Sequence, residues 1–411
     1  MNPDRAPGAR ARLQLRPLVA LAALAMACAI AGTASLATAQ SAEQPAWLVG
    51  AITSSSAGGP LGAEQARAAE FSAASLARQG VFGAPFTVDI RDDGGNPRRA
   101  EALARELIEA GALALVCCTT ASASERVSAL AEASGVVLLS LDGTAEDRHW
   151  TFPLRPDTRT QLTAAAVFAA ERGETTLALM TLDNAFGDEA ADAFERALGD
   201  AGRQAAGTVR YPPSATVLTP EALWAATRVP SAVVVWGLQA DTHLALDGLR
   251  RRGWLGPVHV RPEAVPAGVW SRIELTTAGP TSPPAAGDVW WQVRSAAAPV
   301  SVAALLPPEH PNQAAAIAAL DRLTAAGVRP DPVTLASVAR VGDALVLAQR
   351  AFEQVAALGL PPGLPLATLR QAVQDALVSA PPQALAAGTY EARSSDARFA
   401  RWQGLVVITT R

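Results

Sequence analysis

The chain has 411 residues, 50% of them hydrophobic and 18% charged, with a formal net charge of -4. At roughly 100–200 residues per domain two domains are the default, and the composition excludes a disordered or solvating segment. All 34 basic residues are Arg, which removes every mechanism needing a lysine (a Walker-type phosphate lysine, a Schiff base, a pyridoxal anchor), and the mild acidity without a basic stripe argues against nucleic acid.

At the N-terminus Arg5, Arg10, Arg12 and Arg16 precede an apolar run over 18–30, and Ala37-Thr38-Ala39 follows just before Gln40. A basic stretch, an apolar core and small residues at a cleavage point are the three regions of a secretory signal peptide. Residues 1–39 are therefore expected to be removed and the protein to be periplasmic. The apolar run is shorter than the ~20 residues a bilayer needs, which disfavours a retained anchor. Leu24-Ala25-Met26-Ala27 ahead of Cys28 fits a lipid-attachment signal poorly. Cleavage takes away four Arg and Asp4, leaving a mature formal charge of about -7. Later apolar runs, at 112–118 and 231–238, are short and bounded by turn residues, so no stable membrane insertion is expected after cleavage.

In chain order, 47–53 is β-like and is followed by the small-residue loop Ser54-Ser55-Ser56-Ala57-Gly58-Gly59 and a helical stretch over 62–79. A strand at 86–90, the turn Asp92-Asp93-Gly94-Gly95-Asn96-Pro97, a helix at 98–110 and a strand at 112–118 come next. The alternation continues with helices at 124–134, 160–172, 188–201 and 241–252, and strands at 136–140, 177–181, 207–211, 233–236 and 258–260. From 262 to 308 it dissolves into Pro, Gly and Ala with Trp270, Trp290 and Trp291, read as crossover and packing segments. Helices resume at 312–326, 332–358 (with Gly359 as a stop signal) and 366–379, and 402–409 is β-like. Strands alternating with 10–15-residue helices predict parallel sheets with helices on both faces, the doubly wound α/β class. There is no repeat of 20–50 residues to suggest a solenoid.

Once Cys28 leaves with the signal, Cys117 and Cys118 remain as neighbours. Adjacent cysteines join only through a strained eight-membered ring, so two small buried thiols at a strand end are expected. Four scattered histidines (His149, His243, His259, His310) leave little for zinc or a His-based triad, and no metal or cofactor is expected. Asp92 and Asp93 read as a turn and cap, because no second acidic cluster follows at calcium-loop spacing.

Ligands of open α/β sheets sit beyond the carboxyl ends of the strands, and there this sequence is rich in hydroxyls. One strand empties into Thr119-Thr120-Ala121-Ser122-Ala123-Ser124. Such a turn offers free N–H groups, a positive helix end and hydroxyls to a carboxylate, or simply caps a helix through Ser122 or Ser124. The next strand runs into Ser140-Leu141-Asp142-Gly143-Thr144, either a second wall of one pocket or an ordinary Asx-type turn. Trp236 ends a strand and suits either a cleft or packing between layers. Arg261 is open to three fates: pairing with Asp142, meeting a ligand anion, or solvation at the surface.

These pieces, with Val49-Gly50-Ala51-Ile52, Asp183-Asn184-Ala185-Phe186-Gly187, Trp236-Gly237, Arg261-Pro262-Glu263 and Gly342-Asp343-Ala344 in this order, make the chain resemble a periplasmic substrate-binding protein of the type I, branched-chain amino-acid (leucine-binding protein-like) family that serves ABC transporters. The resemblance implies two α/β lobes, each a doubly wound parallel sheet, joined by three crossovers and closing on a small ligand. It places lobe 1 at 46–157 and 281–372, and lobe 2 at 158–280 and 373–411. By position it implies that Thr120, Ala121 and Ser122, with Ser140, Asp142 and Thr144, face a ligand carboxylate. Phe186 is then an aromatic wall, Gln239 lies on the far side with Trp236, and Glu263 meets a ligand ammonium. The family's hydroxyl position falls on Ala121, leaving its N–H unless Ser122 or Thr120 substitutes. Asp142 replaces a small neutral residue and would repel a ligand carboxylate in a low-dielectric cleft, and Gln239 replaces a Tyr.

The function expected is capture of a small metabolite, an amino acid or related amide or carboxylate, for delivery to ABC permease subunits. A sensor presenting its closed form to a receptor is the alternative. An exported hydrolase lacks the G-x-S-x-G elbow its chemistry needs, so no enzyme is expected.

Overall fold

The computed structural model describes residues 45–56, 59–142, 148–237, 239–254, 256–261, 293–297, 311–328, 332–391 and 406–409. The expected signal peptide, Cys28, Thr144 and Glu263 lie outside them.

The first sheet is built from β1 (Trp47–Thr53), β2 (Phe86–Asp92), β3 (Ala114–Cys117), β4 (Val137–Ser140) and β5 (Thr151–Pro153), with α1 (Gly59–Ala77), α2 (Pro97–Glu109) and α3 (Ala121–Ser134) between successive strands. Its order is β2-β1-β3-β4-β5, and every neighbouring pair is parallel. Side chains alternate across it. Val49, Ala51, Ala114, Val116, Val137 and Leu139 fill one core, while Ile52, Leu115, Cys117 and Leu138 fill the other. A sheet apolar on both faces needs helices on both, and α2 and α3 cover one face, contributing Ala100, Ala104, Leu107, Val127 and Ala131. Gly50 makes room for that layer, since a Cβ there would lie 2.8 Å from Leu107.

The second sheet takes β6 (Thr176–Leu182), β7 (Gln204–Tyr211), β8 (Ala232–Trp236), β9 (Val258–Val260) and β10 (Val293–Ala297), with α4 (Thr158–Glu171), α5 (Ala185–Asp200), α6 (Thr219–Thr227) and α7 (Gln239–Arg251). The chain continues through α8 (Gln313–Ala325), α9 (Pro332–Ala357), α10 (Leu366–Ser379) and the ribbon β11 (Gln383–Ala384)–β12 (Thr389–Tyr390), and β13 (Val406–Thr409) then pairs antiparallel with β10. The order is β13-β10-β9-β8-β6-β7. Here too burial alternates: Ala178, Met180, Val233 and Val235 face one core, and Leu177, Leu179, Ala232 and Val234 the other. Two lobes of mainly parallel sheet with flanking helices result.

Helices α8, α9 and α10 and the β11–β12 ribbon all belong to the first lobe's larger core. Phe352 of α9 stacks on Trp47 (centroids 5.1 Å apart) and tilts against Phe86 (5.9 Å). The chain therefore leaves the first lobe after β5, returns after β10 and leaves again after β12, which makes three crossings. The expected lobe limits shift accordingly. Residues 293–297, assigned to lobe 1, extend the second sheet from β9. The limit at 372 cuts through α10, and the first lobe runs on through Tyr390.

Two polar clamps hold the ribbon before the last crossing. The buried Asp343 of α9 accepts the N–H of Ala386 (3.1 Å) and Ala387 (2.7 Å) and the Tyr390 hydroxyl (3.0 Å). Burial pushes its carboxyl up to about 6, against the pull of these donors and the Arg340 charge. The buried Asn312 donates to the Leu385 carbonyl (2.9 Å) and accepts from Thr389 (3.3 Å). In the second lobe one buried polar contact is His259 Nε2 to Glu174 Oε2, 2.9 Å, with the Phe168 ring edge-on to the imidazole.

Cys117 and Cys118 are buried as expected, but they form a disulfide across a cis peptide bond instead of remaining two thiols. Among the described residues no helix is long and apolar enough to cross a membrane, and no group of three or more His, Cys, Asp or Glu side chains is placed to hold a metal ion.

Candidate functional site

The carboxyl ends of the strands gather the candidate residues into two groups, one per lobe. In the first lobe β3 ends at the cysteine pair and the chain turns at once into α3. The cap is Thr120, whose hydroxyl accepts from the Ala123 N–H at 3.4 Å, not Ser122 or Ser124. Ala121 and Ser122 are thus exposed residues of the helix's first turn, where backbone N–H groups have no intrahelical acceptor. The Ser122 hydroxyl lies 3.5 Å from that of Thr120. Thr119 points elsewhere, donating to Gln65 Oε1 at 2.9 Å, and Gln65 in turn reaches the Ser337 carbonyl of α9.

Ser140, at the end of β4, is fully buried, and its hydroxyl is engaged within the protein. It donates to the Asp142 carbonyl (2.7 Å) and lies 3.3 Å from Ser124 Oγ, shaping the turn that follows. The Asp142 carboxylate forms an ion pair with Arg155, both side chains being largely covered. This partner, just after β5, was not foreseen, and Asp142 does not need Arg261. The pairing offsets the carboxylate charge that would oppose an anionic ligand. Arg340 of α9 closes the same side, its guanidinium reaching the Leu141 carbonyl (3.5 Å) and Ser337 Oγ (3.3 Å). At the neighbouring tips Asp93 accepts from Ser54 Oγ and the Gly95 N–H, both at 2.7 Å. Asp92 is held at about 2, chiefly by its bond from Ser56. These two aspartates build the β1 and β2 turns.

In the second lobe three adjacent strands each contribute one residue at the tip. Beyond β6, Asn184 caps α5 through the Gly187 N–H (3.1 Å) and sets Phe186, half-buried, in the first turn. A Cβ at Gly187 would collide with the Leu182 carbonyl, so the glycine permits this tight strand-to-helix turn. Trp236 closes β8, with its carbonyl bound by Thr181 Oγ1 at 2.9 Å. Arg261 follows β9 directly, and instead of lying solvated at the surface it is only 6% exposed. Its guanidinium sits 5.1 Å from the Phe186 ring centre and 5.7 Å from that of Trp236.

On the far side Gln239 opens α7. The Tyr211 hydroxyl is packed against Gly237, where any Cβ would strike it, and burial, with the nearby Asp241 charge, pushes its ionisation up. The structure thus gathers Thr120, Ala121, Ser122, Ser140 and Asp142 at the first lobe's carboxyl edge, and Phe186, Trp236 and the start of α7 at the second's. Sequence reasoning missed Arg155 and Tyr211. Arg155 trails a three-residue strand too short to read, but Tyr211 stood in plain view as the last residue of an expected strand.

Residues 48–297 match a family described as periplasmic binding protein. No curated protein matches the sequence. Among solved structures, an extracellular ligand-binding receptor from Rhodopseudomonas palustris HaA2 is similar with a TM-score of 0.69 at 19% identity, covering 90% of this chain and 98% of that one. A protein from Rhodospirillum rubrum described as a branched-chain amino acid ABC transporter gives 0.65 at 18% identity (89% and 98% covered). A leucine binding protein, LivK, from Thermotoga maritima MSB8 gives 0.61 at 14% identity (84% and 91%).

Proposed function

Because the chain belongs to the periplasmic binding protein family, we propose that it is an exported solute-binding protein. It captures a small metabolite, an amino acid or a related amide or carboxylate, between the carboxyl edges of its two sheets and delivers it to an ABC permease without altering it. Ligand capture at this position follows the general placement of sites in open α/β sheets, and three crossings are the kind of connection about which two lobes close. The observation that carries the reading is the first lobe's edge. The exposed first turn of α3, capped by Thr120, presents N–H groups and hydroxyls, and the Asp142 carboxylate on the same edge is already paired with Arg155. A ligand carboxylate fits that edge.

The test is mass spectrometry of small molecules that co-purify with the exported protein, followed by calorimetry with the compound found. One ligand per chain and an unchanged compound after incubation are expected. Turnover of the compound, or a melting temperature indifferent to a broad panel of amino acids, amides and carboxylates, contradicts the proposal.

A further inference from the structure

The first of the three crossings is described throughout, from the end of β5 at Pro153 to the start of α4 at Thr158, and Leu154-Arg155-Pro156-Asp157 spans it. Its two ends belong to different lobes. On the first-lobe side Leu154, buried in that lobe's core, carries the pairing of β5 one step further by donating its N–H to the Ser140 carbonyl at 2.8 Å. On the second-lobe side Asp157 caps α4 through the Thr160 N–H (2.5 Å). The buried Gln161 of that helix donates its side-chain amide to the Pro156 carbonyl at 2.9 Å, and Leu162 enters the second lobe's core. Between the two anchorages lies the peptide that joins Arg155 to Pro156. A hinge concentrates its rotation in a few backbone angles of this kind. Here the proline ring fixes one of them and confines the residue before it to extended conformations.

Motion at such a short link depends on which lobe Arg155 follows. Its guanidinium is ion-paired with the Asp142 carboxylate, in the turn that leaves β4 on the first lobe's ligand edge, and the two side chains are only 17% and 18% exposed. A pair covered to this degree is screened by salt less than one at the surface. Ser140 serves both fastenings, since its carbonyl takes the Leu154 N–H while its hydroxyl donates to the Asp142 carbonyl. Resting on the reading that the lobes close on a solute, we propose that Arg155 is a positioning residue: through Asp142 it fastens the first crossing to the ligand edge and narrows the range over which the two lobes open. The turn that lines the edge and the link that bears the motion then move as one unit.

The experiment is pulsed electron spin resonance on the purified protein with no compound added. Spin labels are placed at exposed helix positions of the two lobes, by Ala102→Cys in α2 and Glu195→Cys in α5, and the spread of their separations is read. Arg155→Gln and Asp142→Asn are each expected to broaden that spread roughly twofold, and the double variant no further than either alone, because both remove the same contact. Arg155→Lys, which keeps the charge, should stay near the parent. Glu125→Gln breaks the Arg148 ion pair of the same lobe, away from the crossing, and should leave the spread unchanged. Melting temperatures taken beside these measurements separate a freed crossing from a loosened fold, and Asp142→Asn, closest in shape to its parent, carries the test should Arg155→Gln not fold. An unchanged spread in the pair variants, a Lys variant as broad as Gln, or equal broadening by Glu125→Gln overturns the inference. If the co-purifying compound still shortens the parent's separation, the solute-binding reading stands without it. If neither the variants nor a panel of amino acids, amides and carboxylates moves the separation, both fall.

Discussion

Asp343 in the first lobe and Glu174 in the second are both buried carboxylates, and they are satisfied differently. In the first, Asp343 is surrounded mainly by neutral donors, two backbone N–H groups and a tyrosine hydroxyl. In the second, Glu174 is met by the imidazole of His259, and the buried Arg261 by two aromatic rings. For Asp343 the desolvation cost outweighs the pull of its donors, and the carboxyl titrates upward. A carboxylate met by an imidazole, or a cation met by ring faces, is bound to that partner, and a buried polar group suffers when its partner goes. The lobes are built on the same layered plan, so the difference lies in the side chains that finish them.

The hardest blow to this comparison falls on the second lobe. Glu174→Ala removes the carboxylate that meets His259 in the interior and is expected to cost about 3 kcal/mol in urea unfolding; a loss below about 1 kcal/mol would mean that the two groups do not act as a pair. Next is the first lobe's clamp. The Asp343 carboxyl stands near 6 in the folded protein against an ordinary 3.8, so the folded state holds this proton more tightly than the unfolded chain. Its contribution is full below the ordinary value and is lost as pH rises through about 6, roughly 3 kcal/mol in all. Asp343→Asn does not titrate. Urea midpoints between about pH 4 and pH 7 should therefore fall less steeply with rising pH in the variant than in the parent. Parallel curves would show that Asp343 has the same proton affinity folded and unfolded. The smallest effect belongs to the first lobe's edge: Thr120→Ala removes the cap of α3 and is expected to cost about 1 kcal/mol. No change would show that the N–H groups of that turn are satisfied without it.

Most of the layering was legible because burial on both sheet faces leaves short apolar runs separated by helical stretches; the limits of α10 and β9 follow directly from that pattern. The elements that escaped were those with little pattern to show. Strands β5 and β10 have three and five residues, and α6 has nine, with Pro220 at its start. The unread β10 is also why the second lobe's limit fell too early. At the site, position relative to a strand end located Ser140, Phe186 and Trp236 without revealing their partners. That Arg261 would be sheltered by side chains 25 and 75 positions earlier is a property of strand order, and strand order is not written in any local stretch. The capping residue was misplaced for a related reason: several hydroxyl residues in a row all satisfy the preference, and the backbone alone selects Thr120.

The ribbon and the last strand carry a consequence for how the molecule comes apart. The first lobe's core joins residues near position 50 to Tyr390, and the second sheet is bordered by β13, beyond them both. No single cut through the sequence releases an intact half. A chain stopped after Tyr390 would keep every segment of one interior while exposing the flank of β10, a bare ladder on which a strand from another copy could settle. That ladder stays open until β13 is in place, so pairing between unfinished copies is the hazard this topology carries.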